Sequence, residues 1–448
     1  MSNSFEGFED SHVCMVGLGF VGMTLAVTLA DLGFHVTGIE KNPDIMGALA
    51  EGKAIFEENN FDWRLKKVIA AGRFDAHREI PQDTRSTVFI ITVGTPIGDD
   101  KKTKMASIET AAKEVAAVLK PGDLVILRST VRVGVSRDVV KPILDRAAVP
   151  YDLAFCPERT VEGKAIEELR SLPQIVGGVD TTSSLRASRF FHMLTPSVVR
   201  VSSLEAAELV KLVNNVHRDL MFAFSNEIAG AAEASGLSAI EVIDAANRGY
   251  PRGGVCLPGP VGGPCLEKDP YIFAEGLAQH DFIPTLTLAG RQINETLPRD
   301  VAKLLQDYFN RLARAPKRLV ILGLAFKGRP ETTDLRGTVA RPLFDVLSKT
   351  FPQAEVIAWD PIVSPHDALN SIGVKMAADL PSAFSDADAV VIQNNHPVFA
   401  RMDFPRFTES MSKGGIIYDL WAQNEGEDLM LENGVCYRAF GAATRMAH

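Results

Sequence analysis

The sequence predicts an α/β protein of two doubly wound parallel sheets joined by a long central helix and a helical segment. Three observations carry that reading. Short apolar runs alternate with helical patterns from His12 to Gly178, the alternation resumes near Lys317, and an unbroken helical pattern lies between them. At 448 residues the chain is too long for one core, so we read domains at 1–200, 201–315 and 316–448.

The first strand, HVCMV, runs into VGLGFVG, where Gly17, Gly19 and Gly22 form G-x-G-x-x-G with Phe20 and Val21 inside it. A helical pattern continues to Leu32. After Gly33 a second strand, HVTGIE, ends at Glu40, 23 positions after Gly17. Alone, the glycine pattern says little; between a strand and a helix, with an acid at this distance, it has the context of a Rossmann-like dinucleotide site. Gly17 allows the tight turn, Gly19 lets backbone approach a pyrophosphate, and Gly22 permits close helix packing, while the helix N-terminus offers N–H groups to phosphate. Glu40 suits a ribose diol and repels a 2′-phosphate, which favours NAD over NADP; Lys41 is the neighbour that weakens this preference. Glycines serving only a tight turn remain the plainer alternative.

The next strands are TVFIITVGTP (87–96), LVILRSTV (124–131), LAFCPE ending at Glu158, and IVGG (175–178), with helices expected at 107–119 and 134–147. Ligands of such sheets lie beyond the carboxyl ends of the strands. That rule singles out Thr95, Thr130 and Glu158, although any one of them alone reads as a loop residue. From Leu204 to about Ser235 the pattern is one long helix with only Gly230 inside it. Lys211 and Asn215, i and i+4, share a face of it and could meet a developing oxyanion, or form a solvated face. The second region repeats the alternation: RLVILGLAFKG, AEVIAWDP, ADAVVIQNN and GGIIYDL read as strands, TVARPLFDVLSK as a helix. Lys327, Asp334 and Arg336 follow its first strand, where a second nucleotide could lie.

Bulk properties exclude several classes. The chain is 46% hydrophobic and 23% charged, with no apolar run of about 18 residues, so no membrane span is expected. Its polar, acidic start, MSNSFEGFEDSH, does not read as a signal peptide, and a cytoplasmic location is the expectation. A net charge of −9 speaks against nucleic-acid binding and requires local cations for any anionic ligand. The five cysteines, Cys14, Cys156, Cys256, Cys265 and Cys436, are scattered and without C-x-x-C spacing, so neither a disulfide framework nor a metal site is expected. Cys265 stands apart in GPVGGPCLEKD, with Gly262 and Gly263 before it and Asp269 four positions on.

Taken in order, VGLGFVG, VGTP, STV, CPERTVEGKA, VKLVNN, FSNE, GGPCLEKD, LGLAFKG and DLR resemble the UDP-glucose/GDP-mannose 6-dehydrogenase family over nearly the whole chain. The resemblance implies NAD-dependent oxidation of the C6 alcohol of a nucleotide sugar to a carboxylate in two steps. Cys265 would add to the aldehyde, giving a thiohemiacetal and then a thioester that water hydrolyses. Lys211 and Asn215 would stabilise the alkoxide, Lys211 also favouring the thiolate. Asp269 and Thr130 would position water or the C6 oxygen, and Glu158 would serve hydrolysis.

For the sugar nucleotide the matching positions are Glu162 (with Lys164), Asn226, Gly262, Gly263, Lys268, Lys327 and Arg336. Arg252 matches an arginine lent to a partner subunit, so a homodimer is implied. Arg159 and Val161 stand where the family pattern has an aromatic residue and an arginine. The run PGPVGGPCLEKDPY is similar to the branch acting on UDP-N-acetylhexosamines (UDP-N-acetylmannosamine or UDP-N-acetylglucosamine), although Pro264 replaces its histidine and Lys268-Asp269 resembles the UDP-glucose branch. A two-electron 3-hydroxyacid-type dehydrogenase and a non-catalytic NAD-binding protein are the alternatives from other classes.

Overall fold

The computed structural model describes residues 10–56, 58–424, 429 and 431–442. The chain forms two compact units, one reaching Asn214 and including Tyr271–Ile283, the other made of Asn215–Pro270 and the chain from Pro284 onward.

The first unit is built on an eight-stranded sheet. Its strands are β1 (His12–Val16), β2 (His35–Ile39), β3 (Phe74–His77), β4 (Val88–Ile91), β5 (Asp123–Leu127), β6 (Tyr151–Phe155), β7 (Gln174–Gly178) and β8 (Val198–Val201), in the order β3-β2-β1-β4-β5-β6-β7-β8. Strands such as VFII and DLVIL are buried along their whole length because helices cover both faces, which explains their unbroken apolar character. Alternate residues feed separate cores: Val13 and Met15 pack on one side, Cys14 and Val16 on the other.

The sheet is parallel through β6. There the expectation of uniform parallel strands needs amending, since β7 pairs antiparallel with β6 and carries β8 parallel to itself. The glycines of IVGG answer to packing. A Cβ on Gly177 would lie 2.1 Å from the Ser203 carbonyl oxygen, and one on Gly178 2.4 Å from the Ser184 nitrogen. The helix expected at 134–147 is a π-turn (Ser136–Val140) followed by short α and 3₁₀ segments to Ala147.

The predicted long helix is Leu204–Ala234, whose residues pass from the first unit to the second after Asn214. In the second unit β9 (Arg318–Leu322), β10 (Glu355–Trp359), β11 (Lys375–Met376), β12 (Ala389–Ile392), β13 (Ile416–Asp419) and β14 (Cys436–Ala439) form a sheet parallel throughout, ordered β11-β10-β9-β12-β13-β14. This is the order of β1 to β6 again, with the crevice where strand order reverses beside β9 as it is beside β1.

The two sheets also share one device. The loop after the central strand begins with a glycine at positive φ, Gly17 (96°) or Gly323 (84°). The acid ending the next strand then folds back to accept from the following leucine's N–H: Leu18 to Glu40 at 2.8 Å, Leu324 to Asp360 at 2.6 Å. Asp360 is buried and also accepts from Ala325, Ile362 and Val363. Asp360→Ala would leave those buried N–H groups unpaired, and we expect a loss of ~2–4 kcal/mol in the second unit's denaturant unfolding.

Candidate active site

In the first unit the glycine turn opens the Phe20–Leu32 helix with Gly19 as N-cap; no side chain caps it and no acid lies in its first turn. A Cβ on Gly19 would meet nothing within 4 Å, whereas one on Gly22 would lie 1.9 Å from the Gly17 carbonyl oxygen. The turn is therefore open toward solvent and tight toward the sheet, and its uncapped N–H groups suit a phosphate. Beside it lies a cavity of about 460 Å³ lined by Gly17, Gly19, Glu40, Lys41, Ser107 and Glu114, among others. Glu40 is fixed at its edge by N–H donation from Leu18, Lys41 and Asn42 (2.8–2.9 Å). Phe20 and Val21 begin the helix, partly buried. These features fit a dinucleotide, with Glu40 placed for a ribose diol.

The strand-end residues are locked together. The Thr95 hydroxyl donates to the Thr130 carbonyl at 2.5 Å, and the Ser129 hydroxyl to that of Val93 at 2.7 Å. Glu158 is buried, with one oxygen taken by Arg128 through Nε and Nη2 (3.1 and 2.6 Å) and the other by the N–H groups of Arg159 and Thr160. Burial acts to raise its pKa, but Arg128, the Thr160 N–H and the more distant Lys211 outweigh burial and hold the carboxyl below its usual range. Lys211 is half-buried and makes no hydrogen bond or close ion pair among the described residues.

One turn before Lys211 is Glu208, which the sequence reading missed. Its fully buried carboxylate accepts from the N–H groups of Gly134 (2.6 Å) and Ser136 (2.8 Å), pinning the loop that follows Thr130 to the helix that carries Lys211. Burial pushes its pKa up to about 7 despite those bonds.

The second unit holds the cysteine loop. Cys265 is exposed and forms no disulfide, and its carbonyl accepts from Lys268 and Asp269 as the loop turns into the Asp269–Ala278 helix. The Asp269 side chain is buried; Asn215 donates to one oxygen and Lys268 to the other (3.1 Å). Asn215 thus reaches Asp269 with one N–H.

The paired glycines answer to neighbours. A Cβ on Gly262 would lie 2.3 Å from the Gly337 carbonyl oxygen, and one on Gly263, itself at φ 98°, 2.6 Å from the Phe326 ring. Gly263 N–H donates to the Gly337 carbonyl at 2.7 Å. The loop is therefore laid against the two segments that carry Lys327 and Arg336. Lys327 lies 5.3 Å over the Phe326 ring, and Arg336 forms a fork to Asp334 (2.6–3.0 Å).

A buried polar network grips the same loop from below. Asn226 accepts from the Gly259 N–H and donates to its carbonyl and to Asn294, so both its N–H groups are committed to holding backbone and partner. Arg291, 2% exposed, donates to Asp219 (2.7 Å) and to the carbonyls of Leu266 (2.9 Å) and Val261 (3.4 Å). Arg291, Asp219 and Asn294 gave no signal in the sequence, since each reads as an ordinary helical residue. Glu162 and Lys164 sit in the first unit on the loop after Glu158, partly buried and exposed respectively. Arg252 is exposed in the second unit and stacks on Tyr250 at 4.8 Å. Among the described residues no cluster of three His, Cys, Asp or Glu could hold a metal, and no helix is long and apolar enough to cross a membrane.

A glycine turn ready for an anion, beside a cavity edged by a fixed carboxylate, has the arrangement of a dinucleotide-binding α/β domain. Models of the UDP-glucose/GDP-mannose dehydrogenase family match the chain in three parts: the NAD binding domain at 11–195, the central domain at 205–296 and the UDP binding domain at 320–424. The chain belongs to this family and is an NAD-dependent nucleotide-sugar dehydrogenase. It is 31% identical to a UDP-N-acetyl-D-mannosamine dehydrogenase of Pyrococcus horikoshii, over 89% of this chain and 93% of that one. It is 30% identical to an NDP-N-acetyl-D-galactosaminuronic acid dehydrogenase of Ralstonia nicotianae, over 88% and 93%. A solved UDP-D-ManNAc dehydrogenase from P. horikoshii superposes with a TM-score of 0.86 at 28% identity, covering 96% of this chain and 99% of that one.

Two outcomes follow from the buried groups. The stability Glu208 contributes is complete below its ordinary pKa of 4.5 and is lost as pH rises through about 7. Urea midpoints of Glu208→Gln, measured from pH 5 to 8, should therefore fall less steeply than those of the wild type. Arg291→Met strands the Asp219 carboxylate and two loop carbonyls, and should cost ~3–5 kcal/mol in denaturant unfolding.

Proposed function

We propose that the chain oxidises the C6 alcohol of a UDP-N-acetylhexosamine, UDP-N-acetylmannosamine or UDP-N-acetylglucosamine, to the uronate through a covalent intermediate on Cys265. The observation that carries this is an exposed thiol on a loop that glycines and a buried polar network hold against the Lys327 and Arg336 segments. NAD supplies the hydride acceptor for both oxidations. Loss of hydride and a proton from the C6 alcohol gives the aldehyde. The Cys265 sulfur adds to the aldehyde carbon, the oxygen takes a proton, and loss of a second hydride and proton leaves a thioester. Water then releases the carboxylate and restores the thiol.

Lys211 is the cation assigned to the C6 alkoxide and Asn215 its neutral companion. Thr130 and Asp269 position water or the C6 oxygen, and Glu158 serves hydrolysis as a fixed charge. Lys327, Arg336, Lys268 and Glu162 are assigned to the sugar nucleotide, and Asn226 to positioning the loop start. We assign the chain a homodimeric state with Arg252 serving the partner subunit's site, and a place in the cytoplasm. The names of the P. horikoshii and R. nicotianae relatives, both for N-acetylated amino sugars, support that substrate class over UDP-glucose.

NADH formed per sugar, measured across UDP-N-acetylmannosamine, UDP-N-acetylglucosamine and UDP-glucose, tests both parts. We expect two per sugar, with an N-acetylhexosamine preferred. Cys265→Ala should lower uronate formation at least about a thousandfold. One NADH per sugar, or undiminished uronate release by that variant, would overturn the reading.

A further inference from the structure

We infer that Glu114 enforces the choice of NAD over NADP by occupying Lys41, the one cation among the described residues that line the cavity beside the glycine turn. This goes beyond the proposed reaction and does not depend on which sugar is oxidised or on Cys265.

The end of β2 presents two opposed signals. Glu40 disfavours a 2′-phosphate, while the next residue, Lys41, carries an ammonium with three donors that can pair with one. Both line the same cavity, so sequence alone leaves the balance open. The structure resolves it with a residue 73 positions away. Glu114, near the end of the Ala106–Ala116 helix, also lines the cavity, and its Oε1 accepts from Lys41 Nζ. The Lys41 side chain is 56% exposed and that of Glu114 26%. An ion pair this exposed adds little to fold stability, so its main effect falls on a ligand entering the cavity. With the pair in place the three side chains carry a net charge of −1, and a 2′-phosphate would meet two carboxylates and a cation already engaged. With Glu114 neutralised, Glu40 and Lys41 cancel and the ammonium can turn to the phosphate.

The test is binding without substrate. Dissociation constants for NADH and NADPH are measured by ligand fluorescence for wild type, Glu114→Gln, Lys41→Met and the double variant. We expect the ratio of NADPH to NADH affinity to rise about tenfold in Glu114→Gln through tighter NADPH binding, and Lys41→Met to abolish that gain in the double variant. An unchanged or lower ratio in Glu114→Gln would overturn the inference. So would a gain that survives in the double variant, since Glu114 would then act by direct repulsion and Lys41 would have no part.

Discussion

The constraint on which the chemistry proposed for the second unit depends is the need to hold an irregular, glycine-rich loop in one conformation. Residues 259–266 have no ladder to pair their backbone, so beyond a few single backbone contacts such as Gly263 N–H to the Gly337 carbonyl their polar groups must be met by side chains. Asn226 takes both backbone groups of Gly259, and Arg291 takes the carbonyls of Val261 and Leu266. From above, Gly337 and Phe326 press on Gly262 and Gly263 closely enough to exclude any Cβ. Gly259 is likewise flat against the Trp421 ring, where a Cβ would lie 2.9 Å from the indole. The exposed thiol proposed as nucleophile is thus carried by a backbone with little freedom, which is what preorganisation of such a group requires.

The same economy appears in the two sheets, which solve one problem with different margins. In each, a carboxylate after the second strand bonds the backbone of the loop after the first. Asp360, buried at 5% exposure, spends both oxygens on four N–H groups. Glu40, one methylene longer, bonds three and still lines the cavity. A carboxylate offers about four acceptor sites, so Glu40 retains capacity for a ribose hydroxyl where Asp360 does not. The extra carbon separates a carboxylate that only builds its loop from one that can also read a ligand.

What could be read from the sequence follows the range of the forces involved. The glycine turn, the long helix and the central strands β1, β2, β4, β5, β9, β10, β12 and β13 were legible because their signals are local periodicity and turn chemistry. The short outer strands β3, β8 and β11 were not, since two to four residues half-exposed at a sheet margin carry no pattern of their own. Nor was the reversal at β7, because pairing direction is set by the connection and not by the strand. The supporting polar residues were the least visible: Arg128 meets Glu158 across 30 positions, Glu208 meets Gly134 across 74, and Arg291 meets Asp219 across 72. Each looks like a surface charge until the fold buries it.

Glu158 shows how such a hidden partner alters the chemistry assigned to a residue. Burial alone would drive this carboxyl toward its neutral acid, but the Arg128 guanidinium and the Thr160 N–H reverse the balance. A carboxylate stabilised in this way is a weaker proton acceptor, because basicity falls with pKa. In the proposed hydrolysis its contribution is therefore a fixed negative charge. The identity of residue 128 follows from the same geometry. Its guanidinium serves the Glu158 carboxylate, the Cys156 carbonyl (3.0 Å) and Gln174 (3.1 Å) at once while stacked on Phe191. A lysine would bring its donors from a single point, whereas here Nε, Nη1 and Nη2 each reach acceptors set apart around the planar fork, which keeps Glu158 both ionised and still.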